Sequence, residues 1–331
     1  MKMRSRIAAF AASVMLLALG ACGTTENPQQ AADDEAAGSS GPITVTDSRG
    51  KKVELKAPAK KVVALEWGEA EMLASLGVMP VGVADTKGYS TWVTAEKLDS
   101  DVKDVGTRAE PSEDSILGLT PDLVVMEEGR DTNLSKRLED KGLPVLVTKG
   151  ADAKNGELDR MRSDLMMIAK ATGTEDKAEQ LLSDLDASLA EAKKKLADAG
   201  KDGTPFVMAD GYKEGNVISI RPFGEGALVS QVAQEIGLKN AWKGKVDEQW
   251  GLGATDVEGL TTIKDDDVQF FYNASDGTDV FADGLSKNPI WKSLAFVKAG
   301  NVHKLTDGIW TFGGPKSCAQ YADELVRILT S

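Results

Sequence analysis

The sequence predicts an α/β protein in which two strand–helix halves flank one long helix. Three observations predict it. Short apolar runs alternate with helical stretches up to Val147, an uninterrupted helical periodicity runs from about Glu175 to Ala199, and the alternation resumes after Thr204-Pro205. Strands and helices alternating at this pace imply βαβ units and largely parallel sheets.

The N-terminus sets the compartment. Met1 to Arg6 carries Lys2, Arg4 and Arg6 and no acid, and an apolar stretch from Ile7 to Leu19 ends at Leu19-Gly20-Ala21-Cys22. A charged start, a short apolar run and small residues before a cleavage point are the layout of a signal peptide, here residues 1–21. The run is shorter than the ~18–20 residues that span a bilayer. The tetrad matches the bacterial lipobox, which predicts a lipid on Cys22; the alternative is an ordinary signal peptide with a Cys beside its cleavage site. Residues 22–41 hold no large apolar side chain. Such a stretch cannot bury enough surface to offset its ordering entropy, so it reads as a flexible tether. The expected location is extracytoplasmic, anchored to the cell membrane.

The first lobe, 42–173, contains strand-like runs at Ile43–Val45, Val62–Leu65, Val81–Ala84, Leu123–Met126 and Val145–Val147. Between them lie helical stretches Glu69–Leu76, Ser112–Leu119 and Leu134–Lys141, the first and last followed by Gly77 and Gly142 as terminators. A helix from about Glu157 to Ala171 closes the lobe. The connecting helix occupies 174–200. Leu181, Leu182, Leu185, Leu189, Ala192 and Leu196 form its apolar stripe, acids open it, and Gly200 ends it. At about 25 residues it would be roughly 37 Å long, a stiff connector predicting little movement between lobes and a ligand cleft between them. The second lobe, 201–331, continues through Phe206–Met208, Val217–Ile220, Gln231–Ile236, Val268–Tyr272 and Val302–Leu305 to a closing helix, Ala319–Leu329.

Composition excludes several functions. The formal charge is −13, and losing Lys2, Arg4 and Arg6 with the signal peptide makes it −16. No basic stripe exists to neutralise phosphates, so nucleic acid is not an expected partner, nor is a polybasic membrane patch present. Of the two cysteines only Cys318 is left as a thiol after processing. The single histidine, His303, cannot build a His-rich metal site. No Gly-x-Ser-x-Gly elbow, Gly-x-Gly-x-x-Gly turn or Walker A accompanies it. His303 reads as a strand-edge or surface residue, and the chain as no enzyme.

One resemblance runs through the chain in order. It is carried by Lys61-Val-Val-Ala-Leu-Glu-Trp67, Gly77-Val-Met-Pro-Val-Gly-Val-Ala-Asp85, Tyr89-Ser-Thr-Trp-Val93 and Asp104-Val-Gly-Thr-Arg-Ala-Glu-Pro111. Leu119-Thr-Pro-Asp-Leu-Val124, Gly237-Leu-Lys-Asn-Ala-Trp242, Trp250-Gly251 and Trp310-Thr-Phe-Gly-Gly314 continue it. From Ile43 onward the chain resembles the iron-siderophore solute-binding proteins of the ferric hydroxamate and ferric citrate type, which share a fold with vitamin B12 binders. The resemblance implies two Rossmann-like lobes on one rigid helix and capture of a ferric siderophore for an ABC permease and its ATPase, by a monomer. Because the chelator already fills the iron's coordination shell, no cofactor and no direct metal ligand are implied.

By motif position the resemblance assigns Arg108 to the ligand first, with Trp92 as an aromatic wall. Arg130 stands where hydroxamate binders often place Tyr. Trp250 and Trp310 match cleft aromatics, and Arg221 matches more weakly. Arginine suits metal-polarised oxygens because its planar fork donates two hydrogen bonds, and Trp offers a flat wall with a polar edge. Glu66 could balance an arginine. For permease docking the resemblance points to Asp114, with Glu113 as the alternative, and to Glu258. Hydroxamate and citrate complexes both stay open; three candidate arginines favour an anionic ligand. The alternatives are a haem or cobalamin binder of the same fold, or a sensing lipoprotein without an importer.

Overall fold

The structure, a computed structural model, describes residues 41–331 apart from Asn216. The signal peptide, the lipid attachment at Cys22 and the tether up to residue 40 lie outside the described residues. No helix among the described residues is long and apolar enough to cross a membrane.

A small antiparallel hairpin of β1 (Ile43–Thr46) and β2 (Lys52–Leu55) precedes the first lobe. The lobe's sheet contains β3 (Val62–Ala64), β4 (Gly82–Val83), β5 (Lys103–Asp104), β6 (Leu123–Glu127) and β7 (Val145–Thr148). They run parallel in the order β5-β4-β3-β6-β7. Both faces are covered, which is why β3, β6 and β7 are buried at every position. Helices α1 (Trp67–Ser75), α2 (Thr86–Trp92), α3 (Glu113–Gly118) and α4 (Thr132–Asp140) cross between strands, and α5 (Glu157–Thr172) leaves the lobe.

The connector α6 spans Glu175–Asp198, 24 residues, or about 36 Å. It buries Leu181, Leu185, Leu189, Ala192 and Leu196, the stripe that the spacing predicts. The second lobe pairs β10 (Lys239–Asn240), β8 (Pro205–Glu214), β11 (Gln269–Tyr272) and β12 (Val302–Lys304) in parallel, while β9 (Val217–Pro222) returns antiparallel on β8. Helix α7 (Leu228–Glu235) precedes β10, α8 (Pro289–Ser293) and α9 (Ala295–Lys298) lead to β12, and α10 (Pro315–Thr330) closes the chain.

One continuous core joins the halves. Leu73 and Leu165 from the first lobe, Leu185 and Leu189 from α6, Phe206 and Phe271 from the second lobe and Leu325 from α10 belong to the same buried cluster. Each sheet also buries an outer face, around Val124 and Leu134 in one lobe and Phe270 and Phe296 in the other.

Several element ends differ from the sequence reading, each for a local reason. Helix α1 begins at Trp67 rather than 69, because Glu66 is still extended. Helix α2 was not anticipated from its Gly, Ser and Thr content. Asp85, in the left-handed region at φ 53°, starts it by accepting a hydrogen bond from Gly88 N at 2.9 Å. Strand β8 runs well past Met208 because β9 folds back on it. Helix α10 starts four residues early, with Pro315 in its first turn.

Candidate functional site

The parallel strands of the first lobe all end on one side, where loops meet the second lobe; such strand ends form the usual binding crevice of an open α/β sheet. Glu66 follows β3, Arg108 follows β5, and Glu127 ends β6 with Arg130 just beyond. From the other lobe come Trp250, on the loop after β10, and Trp310 and Phe312, on the loop between β12 and α10.

Charge organises the first half of the site. Arg108 donates through Nε to Glu66 Oε2 at 2.6 Å, with Nη2 at 2.5 Å from the same oxygen. Arg130 Nε donates to Glu127 Oε2 at 3.0 Å and lies 2.9 Å from Glu66 Oε1. One N–H cannot serve both carboxylates well, and Glu66 Oε1 is left buried without a hydrogen-bond partner. Glu66 is only 4% exposed, and burial pushes its carboxyl up while the two arginines pull it back. Glu127 is held well above its ordinary value by burial and by the neighbouring Glu69 and Glu66. Glu69, pushed to about 7 by burial and then by Glu66, accepts from Thr148 Oγ1 at 2.7 Å. Gly150, at φ 72°, passes so close that a Cβ there would sit 1.9 Å from Glu127 Cγ; only glycine fits.

Aromatic rings form the second half. Trp310 packs edge-on against Trp67, Trp92 and Phe312 with centroids 4.9, 6.1 and 5.4 Å away. Phe312 reaches Trp250 at 5.4 Å and Phe223 at 5.6 Å. The guanidinium of Arg108 lies 4.3 Å from the Trp67 ring and 5.4 Å from Trp310, and that of Arg130 lies 5.6 Å from Trp250. Each arginine is thus held by a carboxylate on one side and a ring on another. Trp67 turns its Nε1 inward to the carbonyls of Ala84 and Asp85. The buried Trp310 Nε1 has no hydrogen-bond partner among the described residues. Asp247 shapes the Trp250 loop by accepting from the backbone of Gln249, Trp250 and Leu252. Removing the central ring should be felt on both sides of the cleft: Trp310→Ala is expected to cost about 3–5 kcal/mol, checked by urea denaturation.

Of the residues singled out from sequence, Trp92, Arg108, Arg130, Trp250 and Trp310 come together here, with Glu66 among them. Arg221 does not. It sits on β9, 3.3 Å from Asp210 and 5.4 Å from the Tyr212 ring, and no contact ties it to the aromatic cluster. Asp114 and Glu258 are exposed and make no ion pair among the described residues, whereas Glu113 binds Arg137 at 2.6 Å and Lys141 at 3.1 Å. His303 lies on edge strand β12, next to Gln269 Oε1 at 2.9 Å. The sequence reading missed Glu69, Glu127, Trp67 and Phe312 as site residues. Trp67 and Phe312 were visible, lying inside segments that carry the resemblance.

Two parallel-sheet lobes fixed on a long helix, with an arginine- and tryptophan-lined cleft between them, have the architecture of a two-lobed solute-binding protein. The chain belongs to the periplasmic binding protein family, whose profile matches residues 62–307. It is 28% identical over 271 residues to the iron(3+)-hydroxamate-binding protein FhuD of Escherichia coli, covering 81% of this chain and 85% of that one. It is 27% identical over 329 residues to the Fe(3+)-citrate-binding protein YfmC of Bacillus subtilis, covering 95% of each. Among solved structures, the Fe3+–Desferal-bound siderophore binding protein FhuD from Vibrio cholerae superposes with a TM-score of 0.72 at 25% identity, covering 82% of this chain and 98% of that one.

Proposed function

We propose that this chain captures a ferric siderophore in the inter-lobe cleft and delivers it to an ABC permease, held near the membrane by a lipid on Cys22. The convergence of Arg108 and Arg130 with Trp92, Trp250 and Trp310 on one cleft carries the reading. The printed functions of the relatives, hydroxamate and citrate complexes of iron, support it. Guanidinium forks donate to the polarised oxygens around Fe(III), and the rings enclose the chelator's organic body. The relatives' printed ligands are complexed iron, and on this reading iron is recognised inside its chelator. The cavity lined by Glu66, Arg108, Glu127, Trp250, Trp310 and Phe312 holds about 20 Å³, room for one water. A chelate therefore enters by moving side chains aside, the partly exposed Arg130 and Trp250 foremost.

The test is a tryptophan-fluorescence titration of the domain beginning at Gly41 against ferric and iron-free chelators. Saturable quenching by a ferric complex is expected. Arg108→Ala should weaken it about 10–100-fold, the value of one or two charge-assisted hydrogen bonds. Quenching by no ferric complex, or equally by Arg108→Ala, would contradict the reading.

Docking on the permease is assigned to Asp114 on one lobe and Glu258 on the other. Both acids are exposed and make no ion pair among the described residues, while Glu113 is occupied by Arg137 and Lys141. Charges at such rims steer encounter more than they add affinity. Glu258→Lys is expected to lower uptake in cells while leaving chelate affinity in vitro unchanged; a parallel loss of affinity would remove it from this role.

A further inference from the structure

We infer that the cleft selects ferric chelates without net negative charge, the tris-hydroxamate class, and that Glu66 and Glu127 are the residues that exclude polyanionic complexes. The inference rests on the ferric-siderophore reading and deepens it. Read alone, the arginines favour an anionic ligand. The fold reverses this by bringing each of them a carboxylate.

Arg108 is engaged by Glu66, and Arg130 lies between Glu66 and Glu127. Glu69 stands behind them. Arg160, the third guanidinium at the cavity, is neutralised by Glu157 at 3.0 Å and Asp164 at 2.9 Å, and Asp164 also accepts from Lys149 N and Gly150 N. Five carboxylates thus face three guanidiniums, and each guanidinium is already paired with at least one of them.

A second observation points the same way. Glu66 Oε1 lies buried 2.9 Å from Arg130 Nε, so an anion brought to Arg130 would lie beside a carboxylate oxygen already there. In a low-dielectric site that repulsion is strong, and the polyanion binds only if the acids move or take up further protons. A neutral complex meets no such barrier. Arg108 stays on Glu66 through Nε and Nη2, and Arg130 reaches its carboxylates through Nε alone, which leaves its terminal N–H groups, and the Trp310 Nε1–H once that ring moves, to donate. These donors suit hydroxamate oxygens. Three monoanionic hydroxamates on Fe(III) sum to zero charge, whereas a ferric tris-catecholate is trianionic and ferric citrate is anionic.

The experiment is a calorimetric and fluorescence titration with four probes. These are the ferric complexes of a cyclic trihydroxamate (neutral), of a linear trihydroxamate carrying one amine (cationic), of a tris-catecholate, and of citrate. The trihydroxamates should bind at least about 100-fold tighter than either anion. The Glu66→Gln, Glu127→Gln double variant should narrow that gap at least about 10-fold by strengthening the anions. Independently of any variant, wild-type affinity for the neutral complex should be flat with added salt, since no net charge is being paired. Equal or tighter binding of citrate or catecholate by the wild type overturns the charge selection while leaving the siderophore reading intact. Binding of no ferric probe overturns both.

Discussion

Glu71→Ala is expected to destabilise the folded domain by about 3–5 kcal/mol, the range for stranding buried polar partners. The side chain is fully buried on α1, yet its partners lie on the closing helix. It accepts from Gly314 N at 3.0 Å, Ser317 N at 2.9 Å and Ser317 Oγ at 2.5 Å. Those amides are the orphan donors at the start of α10, where Gly314 has no side chain to cap them. The carboxylate caps the helix from another part of the chain and sits at the positive end of its dipole. Burial pushes its carboxyl up, and these hydrogen bonds pull it back. Alanine would leave the amides unsatisfied inside the core. Glu71→Gln keeps one acceptor oxygen and should cost about 1–2 kcal/mol. Urea denaturation checks both variants; a midpoint for Glu71→Ala close to wild type would contradict the capping role. The loop it anchors carries Trp310 and Phe312, so the alanine variant should also bind its chelate more weakly.

Stability should fall as pH rises from about 4.5 to 7, by about 3 kcal/mol from Glu69 alone. The sign follows from the direction of the shift. Glu69 is raised from 4.5 to about 7 in the folded chain, so the native state holds a proton that the unfolded state releases. The advantage is complete below 4.5 and lost as pH passes 7. Asp210, raised by burial from 3.8 to about 6, acts in the same direction over a lower window. Glu324 opposes them at acid pH. Its bond from Arg327 lowers it to about 2, so its contribution is present above 4.5 and lost as pH falls towards 2. Maximum stability from these three groups is therefore expected at about pH 4. Glu69→Gln should flatten the alkaline side of the profile. Denaturant midpoints at pH 5 and pH 8 measure this, and a wild type more stable at pH 8 would contradict the burial of an ionised Glu69.

The scaffold was legible where periodicity is long. The stripe from Leu181 to Leu196 repeats over enough turns to identify α6, and the apolar runs within β3, β6 and β7 announce a buried parallel sheet. Helix α2 was not legible because no stripe makes it. It depends on Asp85 in an uncommon backbone region and on the Trp67 ring lying against Gly88, where a Cβ would be 2.3 Å from Cζ2. The arginines and tryptophans of the cleft could be singled out because such side chains bind oxygens and flat bodies wherever they occur. Their carboxylate partners could not. Glu127 follows the apolar run Leu123–Met126 and shares its burial, where an acid is normally excluded. Only the tertiary fold sets it beside Arg130. Glu71 and Gly314 meet by the same route, far apart in sequence.

The central claim, that a ferric chelate binds between Arg108–Arg130 and the Trp310–Trp250 wall, is tested most directly by amide hydrogen exchange with and without a saturating ferric trihydroxamate. Binding there should slow exchange in segments 66–68, 106–109, 127–131, 249–252 and 309–314, leaving the β8–β9 hairpin around Arg221 unchanged. Protection confined to that hairpin, or to the outer faces of the lobes, would contradict the account.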